Sequence, residues 1–154
     1  MQQQSDKRIS DTLVEVCTWV RNEDLNHYGS IHGGRLFTMA DEVGFLAAHG
    51  HTGSKCVTVA AHQAHFSRPL PLETKLIVSA YVALVGHSSI WVDVQINAID
   101  EGAFLPAMQV VIVYVSVDDN NKPIRATKVL AVSDEEKMMW QRMERLHQWV
   151  RQLV

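Results

Sequence analysis

Leu25 to His51, LNHYGSIHGGRLFTMADEVGFLAAHGH, is the stretch whose reading decides the fold. It opens with a polar turn, Asn26-His27-Tyr28-Gly29-Ser30. A glycine pair follows a histidine, His32-Gly33-Gly34, and an apolar run then encloses one acidic dipeptide, Asp41-Glu42. Leu36, Phe37, Ala40, Val43, Gly44 and Ala47 recur at intervals of three and four, which is the spacing of one helix face. No proline interrupts the run, and Gly50 stands where a helix stop is expected. A helix of about sixteen residues would span about 24 Å, enough to cross a small sheet. Asp41 borders the buried stripe, where a carboxylate is costly unless it is paired, hydrogen-bonded or used. Spacing alone leaves two readings open: the solvated side of an amphipathic helix, or a working acid.

Outward from this helix the chain reads as strands. Thr12 to Val20 alternates and is rich in β-branched residues, after a polar tail to about Ser10. Asn22-Glu23-Asp24 marks the turn that leaves it. Beyond a loop at Gly50 to Lys55 come four strand-like segments: Cys56 to Phe66, Thr74 to Val85, Ser88 to Ile99 and Ala107 to Val117. Arg68-Pro69-Leu70-Pro71 is a turn that no central strand could contain. Gly86-His87 and Asp100-Glu101-Gly102 are tight connections, and Asp118 to Pro123 closes the last strand. Such short links favour antiparallel neighbours. Ser133 and Glu136 then form a capping box that starts a helix running toward Val154. Its residues Met139, Met143, Leu146, Val150 and Leu153 make a seam of only about two heptads. That seam fits packing on the chain's own sheet or against another subunit.

The expected class is α+β: an antiparallel sheet with one face covered by the long helix, and an added C-terminal helix. The expectation is a single domain over 1–154, with its core at about 11–132 and the terminal helix at about 133–154. The uncovered face and sheet edge call for a second copy. There are 14 Lys and Arg against 17 Asp and Glu, a net charge of −3 that carries no bias toward nucleic acid. No apolar run reaches membrane-spanning length, and MQQQSDKR lacks the apolar core of a signal peptide. Cys17 and Cys56 form no CxxC, so a reduced, cytoplasmic setting is expected.

Several motifs in order carry a family likeness. They are Asn26 followed by Gly29, Ile31-His32-Gly33-Gly34, Met39-Ala40-Asp41-Glu42 and Val57-Thr58-Val59-Ala60. Phe66-Ser67-Arg68-Pro69, Val85-Gly86-His87-Ser88-Ser89 and Val115-Ser116-Val117-Asp118 follow. In this order and spacing the chain resembles the hotdog-fold acyl-CoA thioesterases of the acyl-CoA hydrolase family, from roughly Thr12 to Arg125. The resemblance implies a sheet wrapped around a central helix, hydrolysis of acyl-CoA to free acid and coenzyme A, and a homo-oligomer. That oligomer would be a dimer, extended to a trimer of dimers or a tetramer. Coenzyme A would enter only as part of substrate and product, with no other cofactor.

The resemblance places the catalytic acid at Asp41, as general base or as nucleophile, and sets Asn26 across a dimer interface from the other subunit's acid. The chemistry of the residues agrees with that. Gly33 and Gly34 lie at a helix N-terminus, whose free N–H groups suit a thioester oxyanion. Arg68 offers a fixed charge for phosphate, and Ser88 and Ser89 offer hydroxyls after Gly86. Arg125 is a further phosphate candidate, and His32, Glu42 and Thr58 lie within the motifs and complete the substrate-binding set. Asn26 as an ordinary turn residue, and Gly33-Gly34 as a tight turn, remain open beside these roles.

Relatives often carry an acid near His62 and an amide near His65, so the acyl pocket is expected to differ here. His62 and His65 are expected on opposite strand faces. With no HExxH and no cysteine set, no metal site is expected. Two other functions compete. His65 to Pro71 superficially resembles the signature of hotdog dehydratases, but it follows the helix rather than preceding it. A non-catalytic acyl-CoA sensor would need the clamp without Asp41 and Asn26.

Overall fold

A computed structural model describes residues 6–153. In chain order its strands and helices are β1 (Lys7–Arg8), β2 (Val14–Trp19), α1 (Gly33–Thr52), β3 (Lys55–Phe66), β4 (Lys75–Val85), β5 (Ser89–Asp100), β6 (Ala103–Val117), β7 (Val129–Leu130) and α2 (Asp134–Gln152). One-turn 3-10 helices occupy Ile9–Thr12 and Asn22–Asp24. The five long strands form an antiparallel sheet in the order β2-β4-β5-β6-β3, and β1 pairs with β7 in parallel.

Alternation decides which residue meets which layer. Val78, Ala80, Val92, Val94, Val110, Ile112 and Tyr114 face Leu36, Met39, Ala40, Val43 and Ala47 of α1. On the opposite face Ala83, Leu84, Trp91, Val111 and Val113 pack with Met143 and Leu146 of α2. The central strands are buried on both sides, which is why they read as almost unbroken apolar runs. This is the expected hotdog arrangement of one long helix on an antiparallel sheet, with the C-terminal helix added. The α2 seam folds onto the chain's own sheet through Met143, Leu146 and Val150, while Leu153 stays exposed. A second copy is therefore not needed to cover that face. It is still called for along β3, a twelve-residue edge strand that exposes Val59 and Phe66.

Several boundaries move. The central helix has 20 residues and runs through Gly50. Gly53 is the stop, at φ 68° in the left-handed region, with its N–H on the carbonyl of His49. Buried Ala47, Ala48 and His51 carry the inward face past Gly50, and the expected loop shrinks accordingly. The polar tail is structured from Lys7, because Ile9 is buried and Thr12 caps the β4 backbone by accepting from the Val82 N–H. Strand β6 starts at Ala103 rather than Ala107. Pro106 is tolerated there because it sits at a bulge, with Asn97 opposite Pro106 but Ile96 opposite Met108.

His62 and His65 do not face apart. Gln63 takes φ 53°, and three residues of β3 span two of β6, so His62 opposite Val111 and His65 opposite Gln109 share a face. A bulge of one residue reverses the parity that strict alternation predicts. His62 stacks on Trp91, and His147 of α2 packs on the same indole.

Candidate active site

The loop before α1 is built to aim the helix start. The His32 N–H donates to the carbonyl of Asp24 at 2.8 Å, and Arg35 Nε donates to Asp24 Oδ1 at 2.9 Å. Asp24 Oδ2 accepts from the Arg21 N–H, so this buried carboxylate is paired on both oxygens. Neither Asp24 nor Arg35 stood out in the sequence, where they look like ordinary turn and surface charges.

Asn26 closes the turn on itself. Its Oδ1 accepts from the N–H groups of Tyr28 and Ser30 at 2.9 and 3.2 Å, and its Nδ2 donates to Ser30 Oγ at 3.3 Å. An amide nitrogen carries two hydrogens, so one N–H remains for another partner. His32 is the N-cap of α1, and its Nδ1 accepts from the Gly34 N–H at 3.1 Å. The expectation of two free amides is therefore corrected to one. Gly34 is taken by the cap, and the Gly33 N–H makes no hydrogen bond among the described residues. Gly33 lies beside the Phe66 ring and lines a depression of about 400 Å³ with Ile31, Leu36, Phe66 and Arg68. A larger cleft of about 550 Å³ beyond Arg68 is lined by neither Gly33 nor Asp41.

Asp41 sits half-buried in the middle of α1. Its Oδ1 accepts from Thr58 Oγ1 on β3 at 2.9 Å and from Tyr114 Oη on β6 at 3.0 Å. The same phenol lies 2.9 Å from the Asp41 carbonyl. Oδ2 accepts no hydrogen bond from the described residues. Thr58 and Tyr114 are paired across β3 and β6, so both point at the helix from one row of the sheet. Tyr114 is fully buried, and burial, followed by the neighbouring Asp41, raises its phenol well above the ordinary range. It therefore stays protonated and donates. The sequence reading missed Tyr114 because a tyrosine in an apolar strand reads as core. Glu42 is exposed beside Asp41.

The clamp candidates fall into two groups. Arg68 is exposed near Gly33, with Nε donating to the Pro106 carbonyl at 2.7 Å. Ser88, Ser89 and Arg125 gather at the other end of the sheet. Ser89 Oγ accepts from Trp91 Nε1, the Ser116 N–H donates to the Ser88 carbonyl, and the Ala126 N–H donates to the carbonyl of His87. Lys128, missed in the sequence, bonds the carbonyls of Val85 and Gly86 behind this turn. Met108 and Ser116 of β6, eight positions apart, set the two ends about 27 Å from each other.

The same division appears on the helix. Gly33 and Asp41 are eight residues apart, a rise of about 12 Å. Both would have to come within about 3 Å of the reacting atoms to serve one carbonyl. Gly33 and Arg68 line one depression, while Asp41, Thr58 and Tyr114 gather at a separate place along α1. His49 and His51 are occupied elsewhere, on the carbonyls of Ser54 and Thr127. Among the described residues no three potential ligands cluster around a metal position, and no helix is long and apolar enough to cross a membrane.

Comparison with known proteins identifies the fold and family. An acyl-CoA hydrolase of Staphylococcus aureus, solved with butyryl coenzyme A, coenzyme A and coenzyme A disulfide, is 29% identical. The match covers 96% of this chain and 92% of that one, at a TM-score of 0.85. The same hydrolase has been solved as single alanine variants of an asparagine, an aspartate and a threonine. A hexameric acyl-CoA thioesterase shares the fold at a TM-score of 0.90 over 96% of both chains, with 22% identity. The protein YkhA of Bacillus subtilis, named an uncharacterised acyl-CoA thioester hydrolase, is 26% identical over 118 residues, 75% of this chain and 69% of that protein. The family model of the thioesterase superfamily matches residues 28–104, which begin in the Asn26 turn, contain the whole of α1 and end in β6, and the chain belongs to that superfamily.

Proposed function

We propose that this protein is an acyl-CoA thioesterase working as a single hotdog domain, with each active site shared between two copies. The observation that carries the reading is the Asp41 carboxylate, held on Oδ1 by Thr58 and Tyr114 and left open on Oδ2. In the Staphylococcus aureus hydrolase, the asparagine, aspartate and threonine chosen for replacement are spaced 15 and 17 residues apart, as are Asn26, Asp41 and Thr58 here. That correspondence supports all three as site residues.

In the proposed reaction Asp41 Oδ2 takes a proton from water as the water oxygen bonds to the thioester carbon. The carbonyl oxygen becomes an oxyanion, which the Gly33 N–H at the partner's helix N-terminus stabilises and the partner's free Asn26 amide hydrogen assists. The carbon–sulfur bond then breaks. The coenzyme A thiolate leaves and recovers the proton from Asp41, and the free acid is released. Arg68 and Arg125, with Ser88 and Ser89, serve the phosphates and pantetheine. His32 and Glu42 act at most indirectly, His32 by holding Gly34.

Self-association follows from the divided half-sites and the open β3 edge, and the hexameric relatives support it. A dimer is the minimum unit, with a trimer of dimers or a tetramer built from it. A cytoplasmic setting belongs to the same reading, supported by two cysteines that form no disulfide.

Release of free thiol from acyl-CoAs of graded chain length tests the proposal. Wild type should turn over, and Asp41→Ala should lose on the order of a hundredfold or more, as removal of a general base does. Near-normal turnover by Asp41→Ala would refute the assignment. Tight acyl-CoA binding with no turnover by wild type would favour a sensor.

A further inference from the structure

We infer that Tyr114 is a positioning residue for Asp41, and that Gly44 is glycine so that the Tyr114 hydroxyl can reach it. The inference rests on Asp41 acting as the base.

Tyr114 Oη has one hydrogen and two acceptors within reach, Asp41 Oδ1 at 3.0 Å and the Asp41 carbonyl at 2.9 Å. A phenol placed in this way serves both states of the acid. While Asp41 is a carboxylate, the hydrogen points at Oδ1, fixing the carboxylate and leaving Oδ2 for the water. Once Oδ2 holds the proton taken from water, the hydrogen swings to the main-chain carbonyl and leaves no buried donor unpaired. Tyr114 itself exchanges no proton with the substrate. Thr58, exposed on the edge strand, holds Oδ1 from the other side, and Cys56 is the other ionisable neighbour of the phenol.

The approach is permitted by an absence on the helix. A Cβ built on Gly44 would lie 2.5 Å from Tyr114 Oη, closer than real Cβ atoms come to such a neighbour. It would also lie 3.3 Å from Val94 Cγ2 and 3.4 Å from Tyr114 Cζ, contacts that a shift of a few tenths of an ångström relieves. The severe clash at Gly44 is thus with the oxygen. Gly44 is mid-helix, where glycine costs stability relative to alanine, so the fold keeps a poor helix former at the point where the hydroxyl enters.

The test compares Tyr114→Phe, Gly44→Ala and the double variant with wild type and Asp41→Ala. Tyr114→Phe should lower kcat on the order of tenfold, the worth of one hydrogen bond to a charged group. KM should change less than about twofold, because the phenol does not touch substrate. Gly44→Ala should show the same kinetic signature and a lower Tm. The double variant should regain most of the Tm lost in Gly44→Ala while keeping the activity of Tyr114→Phe, since removing the oxygen removes the severe clash but not the need for its hydrogen bond. If Tyr114→Phe does not fold, Gly44→Ala still carries the kinetic test.

Wild-type kcat in Tyr114→Phe, with Asp41→Ala inactive, would overturn this inference and leave the thioesterase reading intact. Activity retained in Asp41→Ala would overturn both. No recovery of Tm in the double variant would overturn the role assigned to Gly44.

Discussion

If the two half-sites come from different chains, two inactive variants should repair each other. Asp41→Asn removes the base and nearly preserves its shape. Asn26→Asp keeps the Oδ1 acceptor that Tyr28 and Ser30 need, so the turn survives while the amide donor is lost. The magnitude follows from the geometry. Asn26 sits in the loop that leads into Gly33, and Asp41 is about 12 Å further along the helix. On the proposed reading, every site draws Asp41 from one chain and Asn26 from its partner. In a dimer of one variant with the other, one site has both residues intact and the second has neither. With free exchange of subunits, activity should follow the product of the two chain fractions, peaking at about a quarter of wild type in an equal mixture. Each variant alone should show about one per cent or less, as expected for loss of a catalytic group. Co-refolding at several ratios, with thiol release as the assay and light scattering to verify assembly, gives the whole curve. An equal mixture that stays at the mean of its parents, despite demonstrated subunit exchange, would refute the shared site. The arithmetic is the same for a hexamer built from dimers.

Glu136 should contribute to the acid sensitivity of the fold. It is 3% exposed and accepts from the N–H groups of Ser10 and Ser133, and Arg8 beside it holds its carboxyl well below the usual range. Glu136→Ala should cost about 2–4 kcal/mol, with nothing counted for the exposed arginine, and lower Tm by roughly 5–15 °C. Its contribution is complete above the ordinary glutamate value of 4.5 and is lost as pH falls below it, so the gap between wild type and Glu136→Gln in urea melts should narrow toward pH 3. A gap independent of pH would contradict this. Gly53→Ala should cost about 1 kcal/mol, because alanine is strained at φ 68°, while turnover stays near wild type. A neutral or stabilising effect would show that the helix end relaxes.

The division between what was legible and what was not follows physical range. Periodicity of three and four over Leu36 to Ala47 and near-continuous apolar runs on β4 and β5 were enough for the layers, because burial imposes those periods locally. The capping box at Ser133 and Glu136 announced α2 for the same reason. The stop at Gly53 was harder to see than Gly50, since both are glycines and only the backbone angle separates them. Parity at His62 and His65 was lost to one bulged residue, and Pro106 hid the start of β6 in the same way. Arg8 and Glu136, 128 positions apart, could not be matched by any local signal.

For the site, residue types and order along the chain nominated Asp41, Asn26 and the glycines, because the chemistry of a base, an amide and close-approach backbone is carried by those residues themselves. The rise of about 12 Å between Gly33 and Asp41 is local too, since eight residues of one helix set it. So is the cap that gives the Gly34 amide to His32, two residues away. What packing alone supplied was Tyr114, brought to Asp41 across 73 residues together with Thr58 from the neighbouring strand. Those contacts depend on which strand lies beside which and on where the helix crosses the sheet, and no run of neighbouring residues encodes them.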